Sequence, residues 1–92
     1  MQQLRRLAHL YFHQDWDLEA DTPVEALANF RRDENVDRVG VLRAELVEIL
    51  SSNPSEPELE EVWDRSGAAW DPQIAGWGTY REWFDTILKA VS

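Results

Sequence analysis

The stretch Tyr11-Phe12-His13-Gln14-Asp15-Trp16-Asp17 decides how the rest of this chain is read. Three aromatic rings, a histidine, an amide and two carboxylates lie side by side, a mixture that no ordinary amphipathic helix requires. Upstream, Leu4, Leu7, Ala8, Tyr11 and Phe12 fall at helical spacing, which predicts a first helix from Gln3 to about His13. Downstream, Asp15 to Asp21 breaks that period. The stretch therefore reads as a corner, a helix end where rings are buried and polar groups must find partners. Phe12 and Trp16 are expected to be buried, with His13 and Asp15 making intramolecular polar contacts that fix the turn.

Start and stop signals divide the remainder. Thr22-Pro23-Val24-Glu25 opens a second helix, with Thr22 as N-cap, Pro23 in the first helical position and Glu25 closing a capping box. Val24, Leu27, Ala28 and either Phe30 or the stem of Arg31 define its buried stripe. Asn35 can cap a third helix, with Asp37 favourable in its first turn. Val36, Val39, Leu42, Leu46, Ile49 and Leu50 form the longest apolar stripe in the chain. Gly40 costs that helix about 1 kcal/mol relative to Ala, so either the helix begins nearer Val39 or Gly40 admits a close neighbour. Ser51-Ser52-Asn53-Pro54 ends it.

Ser55-Glu56-Pro57-Glu58 is a second capping box, placing Leu59, Val62 and Trp63 on the inner face of a short fourth helix that stops at Gly67. Ala68 to Gly78 is a loop, long for so small a chain, which Trp70 and Trp77 should pin to the core. Thr79-Tyr80-Arg81-Glu82 is a third box. It opens a last helix with Tyr80, Trp83, Phe84, Ile87, Leu88 and Val91 inward. No run alternates as a strand does, and no hairpin dipeptide occurs. The expected fold is all-α: a compact single-domain bundle of about five short helices over residues 1–92, with a structured Trp-containing loop before the last helix.

Composition narrows the function. A chain of 92 residues is sized for one domain. It has no cysteine, so disulfides and thiolate metal sites are excluded. No apolar run approaches the ~20 residues of a membrane span, and no signal-type apolar core follows the N-terminus, so a cytoplasmic protein is expected. The net charge is −9, from 18 acids against 9 bases. Such a chain repels phosphate backbones and anionic membranes and favours a basic protein partner. The acids are clumped. Asp15, Asp17, Glu19, Asp21 and Glu25 form one tract; Glu45, Glu48, Glu56, Glu58, Glu60, Glu61 and Asp64 form another. Either tract also serves as a solvated face that keeps the protein soluble.

Catalytic signals are weak. His9 and His13, four apart, would share a helical face, but zinc needs further ligands that only common acids could supply. No metal or other cofactor is expected. Among 18 carboxylates, proximity in sequence identifies no acid–base pair, and nucleophile elbows, phosphate loops and dinucleotide glycine patterns are lacking. Gly76-Trp77-Gly78 reads as a tight turn around a tryptophan. Trp63 and Trp83 fit core stripes, whereas Trp16, Trp70 and Trp77 lie in loops, where one of them could anchor a partner.

The opening heptapeptide with Thr22-Pro23 and Glu25, the acidic fourth helix, Gly67, Asp71-Pro72 and Tyr80-Arg81-Glu82-Trp83 follow one another in an order that resembles a bacterial family. These are the small immunity proteins of contact-dependent growth inhibition systems, and the likeness spans nearly the whole chain. It implies a non-enzymatic cytosolic protein that binds and neutralises the toxic C-terminal domain of a cognate effector, commonly a nuclease, as a monomer forming a heterodimer. Under this resemblance Tyr11, Phe12, His13, Gln14, Asp15 and Trp16 are shared scaffold. Ile74 to Gly78 matches no family pattern and reads as specific to this member. An acidic helical surface suits the basic cleft of a nuclease as an anion mimic. The candidate toxin-binding residues are Glu56, Glu58, Glu60, Glu61 and Asp64 first, then Asp17, Glu19 and Asp21, with Trp77 as a loop anchor. An acidic helical adaptor or regulatory protein for some other basic partner is the alternative.

Overall fold

The computed structural model describes residues 1–92 as five α-helices and no strand. They are α1 (Gln2–Tyr11), α2 (Pro23–Asp33), α3 (Val36–Ser51), α4 (Glu56–Ser66) and α5 (Tyr80–Ala90), with a short 3-10 turn at Trp16–Leu18. The helix starts follow the local chemistry. Asn35 Oδ1 accepts the Arg38 N–H at 2.8 Å and opens α3. Ser55 with Glu58, and Thr79 with Glu82, close complete capping boxes on α4 and α5. The box expected at Thr22 is half made. Thr22 Oγ1 accepts the Glu25 N–H at 3.1 Å, while the Glu25 carboxylate turns back to the Asp21 N–H at 3.3 Å.

Helix α1 lacks a side-chain cap of its own, and α3 supplies one. Glu45, only 8% exposed, accepts the N–H groups of Gln3 at 3.0 Å and Leu4 at 2.9 Å. A carboxylate here satisfies two of the donors that a helix start leaves free and sits at the positive end of its dipole. Gly67 ends α4 in the left-handed region at φ 89°. His9 packs so closely there that a Cβ at Gly67 would lie 2.5 Å from its Nε2.

One core holds the five helices. α1 packs on α2, α3 and α4, and α5 packs on the same three. Its centre is aromatic. Phe12, fully buried, has the rings of Trp83 at 5.2 Å, Trp70 at 5.6 Å, Trp16 at 5.8 Å and Trp63 at 5.9 Å. Trp63 Nε1 donates to the Trp70 carbonyl at 2.8 Å, whereas the buried Trp83 Nε1 has no hydrogen-bond partner. Trp70 and Trp77 do pin the long loop to this core, both half-buried and each packed on Trp83.

Four expectations need correction. Helix α1 stops at Tyr11, two residues early, because Phe12 leaves the helical backbone (φ −130°, ψ 34°) as its ring enters the aromatic core. Trp16 is half-buried, not buried. On α2, Val24 is 52% exposed and Ala28 is exposed; the inner face is Ala26, Leu27 and Phe30, which lies one position round the helix from the expected stripe. Val36 is 82% exposed at the first turn of α3, beyond the reach of its neighbours.

Gly40 fits neither reading offered for it. α3 passes through it unbroken, and a Cβ there would meet nothing within 4 Å. Gly40→Ala is therefore expected to stabilise the protein by about 1 kcal/mol. Chemical denaturation at a fixed slope checks this, and an unchanged or lower midpoint would show that the glycine has a use that the packing does not reveal.

Candidate functional site

The corner is built as a hydrogen-bonded turn. The Phe12 carbonyl accepts the Ala69 N–H at 2.8 Å, tying the end of α1 to the loop after α4. The His13 carbonyl accepts the Trp16 N–H at 3.0 Å, and His13 Nδ1 accepts the Asp15 N–H at 3.1 Å. His13 Nε2 lies 3.5 Å from Glu19 Oε2. Asp15 takes part through its backbone, since its carboxylate makes no hydrogen bond, and Gln14 is exposed. Tyr11 faces the other way, donating to Glu34 at 2.8 Å and meeting Phe30 edge-on. Because α1 ends before His13, His9 and His13 share no helical face. No group of three or more His, Asp and Glu side chains is placed to hold a metal ion.

The expected acidic tract on α4 divides by occupation. Glu56 accepts the N–H groups of Tyr80 and Arg81, both at 2.9 Å, so it caps α5 across the α4–α5 junction. Glu58 closes its own helix's box, and the hydrogen bonds from the Ser55 N–H and hydroxyl hold its carboxyl below the usual range. Glu61 pairs with Arg65 at 2.6 Å. Glu60 and Asp64, one turn apart, are exposed and their carboxylates have no partner. In the corner tract Asp17 and Asp21 are likewise exposed without side-chain partners, while Glu19 faces His13.

The loop between α4 and α5 meets the corner. Tyr80 donates to Asp71 at the start of the Asp71–Gly78 turn. Burial, that hydrogen bond and the charges of Asp71, Glu60 and Asp64 push the Tyr80 phenol up. On the other side, Trp16 in the corner lies 6.1 Å from Trp70. Within the turn every N–H from Gln73 to Gly78 is bonded internally. Asp71 Oδ1 accepts those of Gln73 and Ile74, both at 2.9 Å, and the carbonyls of Asp71, Gln73 and Pro72 take the rest. Gly76 makes this possible at φ 72°. Trp77, the anchor suggested by sequence, turns inward to Trp70 and Trp83. The exposed apolar side chain is Ile74, at 88%. Its signal in the sequence was an isoleucine outside every helical stripe.

The family comparisons agree with this fold. The profile of the CdiI immunity protein family matches residues 1–91, and the chain belongs to that family. A chain of the crystal structure of a CdiA-CT/CdiI complex from Y. kristensenii superposes with a TM-score of 0.88 at 22% identity, covering 99% of this chain and 97% of that one. At that identity the likeness shows the fold. No curated protein matches the chain.

Proposed function

We propose that this protein is the immunity partner of a CdiA C-terminal toxin domain, which it neutralises by binding rather than by catalysis. The toxin would be a basic nuclease, and the inhibitor would act in the cytoplasm as a monomer that forms a one-to-one complex covering the toxin's active site. Family membership supports an immunity role. The observation that carries the acidic-occlusion reading is the pair Glu60 and Asp64, exposed and without ion-pair partners on a helix fixed at both ends. Carboxylates on such a frame present fixed negative charge to a phosphate-binding cleft without first having to be ordered. Glu56, already committed to α5, drops to a supporting role in this reading. No helix is long and apolar enough to cross a membrane.

The experiment is a protection assay in cells expressing the toxin domain encoded beside this protein. Glu60→Lys with Asp64→Lys should abolish most protection while the melting temperature stays within a degree or two, because exposed charges contribute little to stability. Full protection by the double variant would remove α4 as the footprint and direct attention to Asp17, Glu19 and Asp21.

A further inference from the structure

We infer that Ile74 is the apolar anchor of this recognition face, a fixed knob that enters an apolar recess in a basic protein partner. The inference rests on the toxin-binding reading above and adds the contact that would hold the complex together. Ile74 is the most exposed of the large hydrophobic side chains, at 88%. A single exposed apolar residue is ordinary on a protein surface. What sets Ile74 apart is its mounting. Asp71 accepts its N–H at 2.9 Å, and the amides on either side of it, from Gln73 to Gly78, are all bonded inside the turn. The turn in turn is fastened to the core by Trp77 and by Tyr80 through Asp71. Little backbone freedom remains to be lost when a partner closes on it.

The surroundings define the partner's chemistry. Asp71 accepts the Tyr80 hydroxyl, and the Tyr80 N–H donates to Glu56 on α4, so the turn that carries Ile74 is tied to the acidic helix of a chain whose net charge is −9. A matching surface has a recess for a branched aliphatic side chain, rimmed by lysines and arginines. A buried apolar anchor inside a polar rim is the usual arrangement of an interface hot spot. The backbone donors of the turn are all used internally, so recognition there falls to side chains.

The division of labour gives the test. Binding kinetics with the purified toxin domain are measured for Ile74→Ser, Ile74→Leu and the Glu60→Lys/Asp64→Lys double variant, with melting temperature and sedimentation in parallel. Ile74→Ser should dissociate at least tenfold faster, with association rate, salt dependence and melting temperature unchanged. Ile74→Leu should restore most of the loss. Wild-type dissociation in Ile74→Ser would overturn the inference. If the double variant still associates slowly in that case, the acidic-face reading survives and only the anchor falls. If Ile74→Ser weakens binding but the double variant does not, the anchor stands without α4. A wild-type dimer that Ile74→Ser disperses, with toxin binding intact, would assign Ile74 to self-association and also overturn the inference.

Discussion

Phe12→Ala is expected to cost about 3–5 kcal/mol, the range for deleting a large buried aromatic side chain. Four tryptophan rings lie within 6 Å of Phe12, and its ring is fully buried at the point where α1, the corner and the loop after α4 meet. Removing it opens a void that stiff indoles fill poorly, so the cavity component of the loss should be near its full value. Against a total stability of about 5–15 kcal/mol, the melting temperature should fall by more than ten degrees. Trp16→Ala, on the half-buried side of the same cluster, should lose clearly less. Thermal unfolding followed by circular dichroism checks both. Equal losses, or a small loss at Phe12, would show that the corner does not organise the core.

Glu34→Ala should produce the second large loss, about 2–4 kcal/mol. The Glu34 side chain is 7% exposed and accepts hydrogen bonds from Arg6 Nε and the Tyr11 hydroxyl, with Arg38 Nη1 at 3.5 Å. It ties α1 to the junction between α2 and α3. Its removal strands a guanidinium and a phenol that were its partners, a loss moderated because Arg6 is 35% exposed and can reach water. Burial pushes the Glu34 carboxyl up, but the hydrogen bonds from Arg6 and Tyr11 and the charges of Arg6 and Arg38 outweigh it, leaving it below the usual range. A folded value below the unfolded one contributes stability that is full above the unfolded value, roughly 4.3, and is lost as pH falls through the folded value. Wild type and Glu34→Ala should therefore differ most near neutrality and converge in acid. Urea denaturation at pH 7 and pH 3 tests this, and a gap independent of pH would mean that the loss is one of packing.

What the sequence disclosed was local. The caps at Asn35, Ser55 and Thr79 are made within three residues, so they could be read from spacing alone. The inner face of α5 also emerged directly, since Tyr80, Trp83, Phe84 and Ile87 are bulky and leave little ambiguity of phase. On α2, the small alanines at 26 and 28 suit either face, and only tertiary packing chooses Ala26. The acids resisted most. Glu45 reaches across 41 residues to cap α1 at Leu4, and Glu56 across 24 to cap α5 at Tyr80. Nothing in an acidic run distinguishes a long-range helix cap from a solvated charge. In the proposed reading the face on α4 narrows to Glu60 and Asp64, with Ile74 added from a loop in which sequence had pointed to Trp77.

The proposal that fixed carboxylates on α4 draw this protein onto a basic toxin is tested most directly by association rates. Stopped-flow mixing with the toxin domain, at low and at physiological salt, compares wild type with Glu60→Lys/Asp64→Lys. Steering predicts a wild-type rate that falls steeply with salt, and a double variant roughly tenfold slower at low salt with a much flatter dependence. Equal rates with equal salt dependence for the two proteins would contradict the account.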